Sequence, residues 1–371
     1  MTSLAFAMLR LAHSLLPPRM RTWGEAALNE AAALDRPSAV VAFAFGCLMW
    51  AAREAMADRI SQIFQREDTP MILDRFRSPR GVALLCAAAS AMLGLAYLTM
   101  ARAPAQYLMM NVAAFAFGLV ALAGLVLADR RRHLPEGAVV FILGAVWLAT
   151  ALLGVQADGV KRWLALGPLT IQPSLMALPL MTVLFARSRD AVAMAGMTLA
   201  ALAVALQPDR GTAGALVAGV AGLAILRPNR TVLGALVFVA AGFAVTLVRP
   251  DPSPVAPFVD RIFYSSFEIH PLAGMAVLVG AILLIVPALL PGRAARPETV
   301  TFGLVWIALI LAAALGNYPT PVVGYGGSAV IGYLVTLLAF PGRPVAATSP
   351  GRAEESAAPT EDGRAFYVGV A

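Results

Sequence analysis

The chain of 371 residues is 60% hydrophobic and only 13% charged, whereas soluble domains are roughly 45–50% apolar and 25% charged. This composition excludes a soluble globular protein. Both cysteines, Cys47 and Cys86, lie in apolar stretches, which excludes a disulfide framework and a cysteine metal cluster. The net charge of +7 comes from arginines between apolar stretches. In a membrane protein such an excess indicates orientation, and no nucleic-acid partner is expected.

Residues 1–80 form an N-terminal extension. Its first apolar run, Leu4–Leu16, is interrupted by Arg10 and ends at Pro17, which predicts a surface-lying amphipathic helix and no signal peptide. Residues 39–52 are apolar but short, and an amphipathic stretch follows over 53–66. Length leaves two interpretations of this region, an extra membrane span or an interfacial helix.

Residues 81–341 contain ten apolar stretches separated by short pieces rich in Arg, Pro and Gly. An all-α polytopic membrane protein is therefore expected, with a ten-span helical bundle after the extension. Placing residue 80 in the cytoplasm puts most loop arginines inside, as the positive-inside rule requires. The composition of 342–371 predicts a disordered cytoplasmic tail. The predicted spans are 81–101, 105–128, 137–155, 172–186, 190–206, 211–226, 231–248, 271–290, 299–316 and 328–340.

The first predicted outer segment that carries more charged and aromatic residues than a simple connection needs contains Lys161, Arg162 and Trp163. Two adjacent cations on the outer side are suited to a phosphorylated lipid headgroup, because Lys and Arg are the usual partners of phosphate oxygens. The alternative is that they anchor the loop at the interface beside a belt tryptophan.

The second outer segment is Gln207–Thr212, where Asp209 and Arg210 lie next to an apolar run. Charges at membrane depth are costly unless paired, so they indicate a functional site. Asp209 is equally suited to cap the next helix, because aspartate is a favoured N-cap.

Two further outer segments carry polar groups. The loop from Arg249 to His270 is the longest predicted connection and is rich in proline. It supplies carboxylates suited to general base chemistry, among them Asp260 and Glu268. The last outer segment ends in Gly324-Tyr325-Gly326-Gly327-Ser328, where adjacent glycines allow a sharp turn and Ser328 can cap the following helix.

Together and in this order, these segments resemble the SEDS family (shape, elongation, division and sporulation), which includes FtsW, RodA and SpoVE. The resemblance covers 81–341 and implies the family's ten-span layout. The Gly-Ala-Arg-Arg-Trp motif of the family is similar to 159–163 and its Gln-Pro-Ser-Glu motif to 172–175. Its Gln-Pro-Asp-Leu-Gly-Thr and Ser-Tyr-Gly-Gly-Ser motifs are similar to 207–212 and 324–328.

The chain also departs from the family pattern. Leu175 and Leu178 stand where the family has Glu and Lys. Replacement of both members of a buried charge pair is physically coherent, since loss of one alone leaves an uncompensated charge. Arg210 replaces an apolar residue, Gly324 replaces a serine, and Arg261 replaces a phenylalanine beside the predicted base. We expect Arg261 to favour the charged form of Asp260.

What the resemblance implies is peptidoglycan glycosyltransferase activity, in which glycan strands are polymerised from lipid II, a disaccharide-pentapeptide on undecaprenyl pyrophosphate. It implies Asp260 as the catalytic base, Lys161 and Arg162 as partners of the pyrophosphate, and a divalent cation, Mg²⁺ or Mn²⁺, as a potential cofactor. The expected substrate-binding residues are Lys161, Arg162, Trp163, Gln172, Asp209, Glu268, Tyr325, Gly326, Gly327 and Ser328.

The resemblance further implies a bacterial inner-membrane location, a cytoplasmic C-terminus and a class B penicillin-binding protein as partner. Two alternatives stay open. One is a non-catalytic SEDS paralogue that acts as a scaffold or regulator, which the loss of charge at Leu175 and Leu178 favours. The other is a transporter of lipid-linked precursors, which the almost wholly apolar stretch over 214–226 disfavours.

Overall fold

A computed structural model describes residues 2–17, 20–34, 37–64, 78–132, 135–157, 159–167, 169–249, 251, 253–289 and 297–340. Each of the ten predicted apolar stretches is a helix in it. These helices are α4 (Pro79–Met100), α5 (Ala105–Arg132), α6 (Glu136–Leu153), α7 (Pro173–Ser188), α8 (Ala191–Leu206), α9 (Arg210–Leu226), α10 (Arg230–Val248), α12 (Pro271–Leu289), α13 (Pro297–Leu315) and α14 (Gly327–Thr336). A short 3-10 turn, Leu337–Ala339, extends α14.

Six of these helices are long and apolar enough to cross a membrane: α4, α5, α6, α10, α12 and α13. The other four, α7, α8, α9 and α14, are apolar but shorter. The architecture is that of a multi-pass membrane protein, and the number of crossings stays a prediction. The predicted tail, 342–371, lies outside the described residues.

The described part of the N-terminal extension contains three α-helices, α1 (Thr2–Leu15), α2 (Arg21–Ala32) and α3 (Pro37–Phe64). A buried apolar face of α1, including Leu9, packs on α3 around Ala44 and Cys47. The short apolar stretch and the amphipathic stretch of the sequence are one continuous helix, α3, which is not among the six long apolar helices.

The connection between α6 and α7 is not helical, which the all-α prediction missed. It contains three short antiparallel strands, β1 (Val155–Ala157), β2 (Val160–Leu166) and β3 (Leu169–Ile171), in the order β1-β2-β3. Positive φ angles at Gly159 and Gly167 let the chain turn between them. A connector of this kind has too few residues for a clear alternating pattern.

Close contact between α6 and α8 stabilises the centre of the bundle. A Cβ atom added to Gly144 of α6 would overlap the carbonyl oxygen of Gly196 of α8, and one added to Gly196 would meet the carbonyl of Val140. The two backbones approach this closely because neither residue has a side chain, as at small-residue contacts in membrane bundles.

Gly144→Ala is therefore expected to lower the free energy of unfolding by about 1–3 kcal/mol, the usual effect of overpacking. Gly124→Ala on α5 is the matched control, because no atom of the described residues lies within 4 Å of a Cβ built there. It should be neutral or stabilising, since alanine favours helix over glycine. Thermal unfolding in detergent measures both, and equal effects would contradict the close contact.

Candidate active site

Arg162 is the centre of a buried polar cluster at the end of the bundle that carries the segments predicted to be outer. It lies on β2, where side chains alternate between the two faces, and it is only 5% exposed. Its Nη2 is 2.8 Å from Asp251 Oδ2, and its Nε is 4.0 Å from Asp209 Oδ2. The guanidinium also donates hydrogen bonds to the carbonyls of Gln207 and Pro208 and to Ser253 Oγ.

These contacts join three segments that are distant in sequence and that were all predicted to be outer. Burial alone would lower the pKa of Arg162, but the charges of Asp209 and Asp251 more than offset it and raise that pKa. Arg162 therefore keeps its charge and connects β2, the turn before α9 and the loop after α10.

Lys161 and Trp163 are less buried than Arg162, the residue between them. Lys161 Nζ donates to the carbonyl of Leu152 at the end of α6, 2.9 Å away. Trp163 pairs with Val155 of β1 across the sheet. The two adjacent cations are thus engaged by different parts of the protein, and the structure does not bring them together as a pair for one anion.

Asp209 has the capping role that its position predicted. Its Oδ1 accepts a hydrogen bond from the backbone N–H of Thr212, 3.1 Å away, at the start of α9. Its Oδ2 lies 3.4 Å from Gln172 Nε2. At 2% exposure, Asp209 is buried and paired with Arg162, as a charge at membrane depth requires.

Gln172 connects this cluster to the glycine motif before α14. Its backbone N–H donates to Ser328 Oγ, 2.9 Å away. Within the motif, Tyr325 stacks on Tyr107 with ring centroids 3.8 Å apart. The N–H of Gly326 donates to Asn111 Oδ1, 3.2 Å away.

Asn111 is a site residue that the sequence analysis missed. It is buried within α5, and its Nδ2 also donates to the carbonyl of Gly324, 3.0 Å away. Its amide therefore bonds the glycine motif at two positions, through its nitrogen to Gly324 and through its oxygen to Gly326. Gly327 lies against the same helix, since a Cβ added there would contact Ala114. The available signal was an amide side chain inside an apolar stretch.

Asp260 lies where the long outer loop meets the segment before the glycine motif. It forms an isolated β-bridge with Pro319, and its Oδ2 accepts a hydrogen bond from the N–H of Ala256, 2.8 Å away. Phe258 and Arg261 on either side have left-handed backbones, with φ of 63° and 59°. Such strain in residues other than glycine is concentrated at functional sites.

The electrostatic surroundings of Asp260 are mixed. Burial is the main cause that raises its pKa, and the negative charge of Asp251 adds to it. The Ala256 hydrogen bond and the positive charge of Arg162 act in the opposite direction, and the net effect is a raised pKa. Arg162 from β2 is the cation that favours the charged form of Asp260. The sequence had predicted this role for Arg261, which follows Asp260 in the chain.

A cavity of about 460 Å³ opens beside Asp260. It brings together Asp260 and Glu268, both predicted as site residues, and Arg261. Tyr97 of α4 also reaches it, although nothing in the apolar sequence of that helix singled this residue out. The remaining lining residues are Val255, Pro257, Phe258, Tyr264, Ser265 and Ile269.

Tyr318 lies in a mixed electrostatic environment between the cluster and α13. Burial, together with the charges of Asp209 and Asp251, raises the pKa of its phenol to about 12. The positive charges of Arg162 and Arg210 act in the opposite direction, so burial is the main cause of the raised pKa.

The described residues contain no group of three or more His, Cys, Asp or Glu side chains that would hold a metal ion. Mg²⁺, however, commonly binds through one or two carboxylates together with substrate phosphates. Glu268 fits that more limited role, because its exposed carboxylate lines the cavity and forms no ion pair with another described residue.

Residues 82–261 match the family model described as cell cycle protein, the group of FtsW, RodA and SpoVE. Two solved structures of the rod shape determining protein RodA from Thermus thermophilus are similar to this chain. An aspartate-to-alanine mutant matches with a TM-score of 0.51 and 22% identity, over 69% of this chain and 94% of that one. The unmutated protein matches with a TM-score of 0.50 and 22% identity, over 69% and 93%. No curated protein sequence matches.

Proposed function

Because the chain belongs to the FtsW, RodA and SpoVE family, we propose that it is an inverting peptidoglycan glycosyltransferase that polymerises lipid II in the bacterial inner membrane. The observation that carries the proposal is Asp260, a buried carboxylate with a raised pKa at the wall of an outer cavity. A ten-span topology with a cytoplasmic C-terminus would put this cavity on the outer face, where the disaccharide of lipid II is presented.

The proposed reaction is a single displacement. The 4-hydroxyl of the acceptor sugar attacks the anomeric carbon of the donor, and a new C–O bond forms as its proton passes to the Asp260 carboxylate. The bond between the anomeric carbon and the pyrophosphate oxygen breaks, and its electron pair leaves with the polyprenyl pyrophosphate. Asp260 then loses the proton to solvent. A raised pKa suits this task, because a general base works best when its pKa is not far below the working pH.

The residues around Asp260 hold it in place. The strained backbone at Phe258 and Arg261, the β-bridge to Pro319 and the Ala256 hydrogen bond fix the position of its carboxylate. The backbone N–H of Tyr325 donates to the carbonyl of Phe258 in the cavity wall, and Asp209 holds Arg162, which pairs with Asp251 of the same loop. A divalent cation at Glu268, if bound together with substrate phosphates, would neutralise charge on the leaving group.

A second function, that of a non-catalytic scaffold, draws on one observation. Leu178 is fully buried and Leu175 is 8% exposed, both in the main apolar core. The charge pair of other family members is therefore replaced by packed apolar side chains, and whatever that pair does for catalysis is absent here.

Polymerisation of lipid II by the purified full-length protein tests the proposal, with and without a class B penicillin-binding protein in the same liposomes. Glycan polymer is expected at least in the presence of the partner. No polymer under either condition, with the partner still bound in a pull-down, would replace the polymerase with the scaffold.

A further inference from the structure

The two cations first expected to bind the substrate's pyrophosphate are engaged elsewhere. Arg162 is buried against Asp251 and the carbonyls of Gln207 and Pro208, and Lys161 bonds the carbonyl of Leu152. Recruiting Arg162 to a ligand would deprive the buried Asp209 and the partly buried Asp251 of their cation, which is unfavourable. An anion in the cavity therefore needs another source of positive charge.

Arg261 provides that charge. It is exposed, it lines the same cavity as Asp260 and Glu268, and it follows the predicted base directly in the chain. Its side chain makes no capping hydrogen bond at the start of α11 (Ile262–Ile269). Within the part of the chain that the structure describes, no carboxylate lies in ion-pair distance of its guanidinium and no carbonyl accepts a hydrogen bond from it.

The remaining cavity wall is suited to the rest of such a ligand. Val255, Pro257, Phe258 and Ile269 supply an apolar surface, and Ser265 supplies a hydroxyl. A volume of about 460 Å³ lies within the usual range of small-molecule sites. Because the cavity also contains the carboxylates of Asp260 and Glu268, an anionic group would need the guanidinium of Arg261 as its partner.

We infer that Arg261 binds the pyrophosphate of a polyprenyl-linked substrate in this cavity, through hydrogen bonds from its planar guanidinium to phosphate oxygens. The inference deepens the proposed function and rests on it for the identity of the natural ligand. It reassigns the pyrophosphate from Lys161 and Arg162 to a residue at which this chain departs from the family pattern.

Binding measurements test the inference without requiring polymerisation. The full-length protein in detergent is titrated with farnesyl pyrophosphate, and with farnesol as the uncharged comparison. Arg261→Gln is expected to weaken farnesyl pyrophosphate binding roughly tenfold, the usual effect of losing hydrogen bonds to a charged group. Arg261→Lys keeps the charge and should retain part of the affinity.

Arg102→Gln is the matched control. Arg102 is also an exposed arginine with a left-handed backbone, φ 54°, but it does not line the cavity. Its substitution should leave binding unchanged. Competition by inorganic pyrophosphate distinguishes a site for free pyrophosphate from a site for the lipid-linked form. Displacement of farnesyl pyrophosphate identifies a site for the free anion. Failure to displace it identifies a site for the lipid-linked form.

Equal affinity of Arg261→Gln and the wild-type protein for farnesyl pyrophosphate would overturn the inference, as would wild-type binding that does not distinguish it from farnesol. Arg261-dependent binding in a protein that forms no polymer would refute the proposed function and leave this inference standing. Polymer formation together with unchanged farnesyl pyrophosphate binding by Arg261→Gln would refute this inference and leave the proposed function standing.

Discussion

Asp260→Asn is expected to lower the rate of glycan polymerisation by about 10²–10⁴-fold, the usual contribution of a general base. Asparagine has nearly the same shape, and its side-chain oxygen can still accept the hydrogen bond from Ala256. The fold should therefore persist while proton acceptance is lost. The rate of lipid II consumption, measured on protein with an unchanged thermal unfolding midpoint, checks the expectation.

Asp190→Asn is the control for the same chemical change. Asp190 caps α8 at the end of the bundle opposite to the cavity, and its Oδ1 accepts the N–H of Ala193. Asparagine is an equally good N-cap, so activity should stay at the wild-type level. Polymerisation by Asp260→Asn at the wild-type rate would remove Asp260 from the role of base.

Arg162→Met is expected to lower the free energy of unfolding by about 3–5 kcal/mol, because it leaves the buried carboxylate of Asp209 and the partly buried carboxylate of Asp251 without their cation. The double variant with Asp251→Asn should recover part of that loss, since one uncompensated charge is then absent. Chemical unfolding in detergent, followed by intrinsic fluorescence, measures all three proteins.

Arg210→Met is the control for the loss of an arginine in the same region. Arg210 donates to the carbonyls of Thr246 and Arg249 and forms no ion pair with another described residue. Its removal should have a smaller effect, about 1 kcal/mol for hydrogen bonds near the surface. Equal destabilisation by both substitutions would contradict the special position of Arg162.

Helix positions could be predicted from the sequence because long apolar stretches with short polar connections leave few other structures in a membrane. The N-cap role of Asp209 could also be predicted, because aspartate directly before an apolar run is a favoured helix cap. The strands between α6 and α7 could not be predicted, because three-residue strands at Val155 and Leu169 have no usable periodicity.

Prediction of the site was less complete because its contacts join distant segments. Asp260 and Glu268 were both predicted as site residues, and they share a cavity. The opposite surroundings of Lys161 and Arg162 follow from the alternation of β2, a strand that the sequence did not reveal. Asp251 as the partner of Arg162 depends on a contact across 89 positions of the chain, which no local pattern encodes.

The pH dependence of polymerisation tests most directly whether Asp260 is the proton acceptor. Since the base acts in its charged form and its pKa is raised, activity should fall on the acid side at a pH above about 3.9, the ordinary value for aspartate. The other charged groups that face this region are Asp251, Arg162, Arg261 and Glu268.

Asp251→Asn removes a negative charge that raises the pKa of Asp260 and frees the positive charge of Arg162 to lower it further. Both effects have the same sign, so the acid limb of the pH–rate profile should move to lower pH in this variant. A limb that stays at the wild-type pH would contradict Asp260 as the base, because a group elsewhere in the protein would then control the reaction.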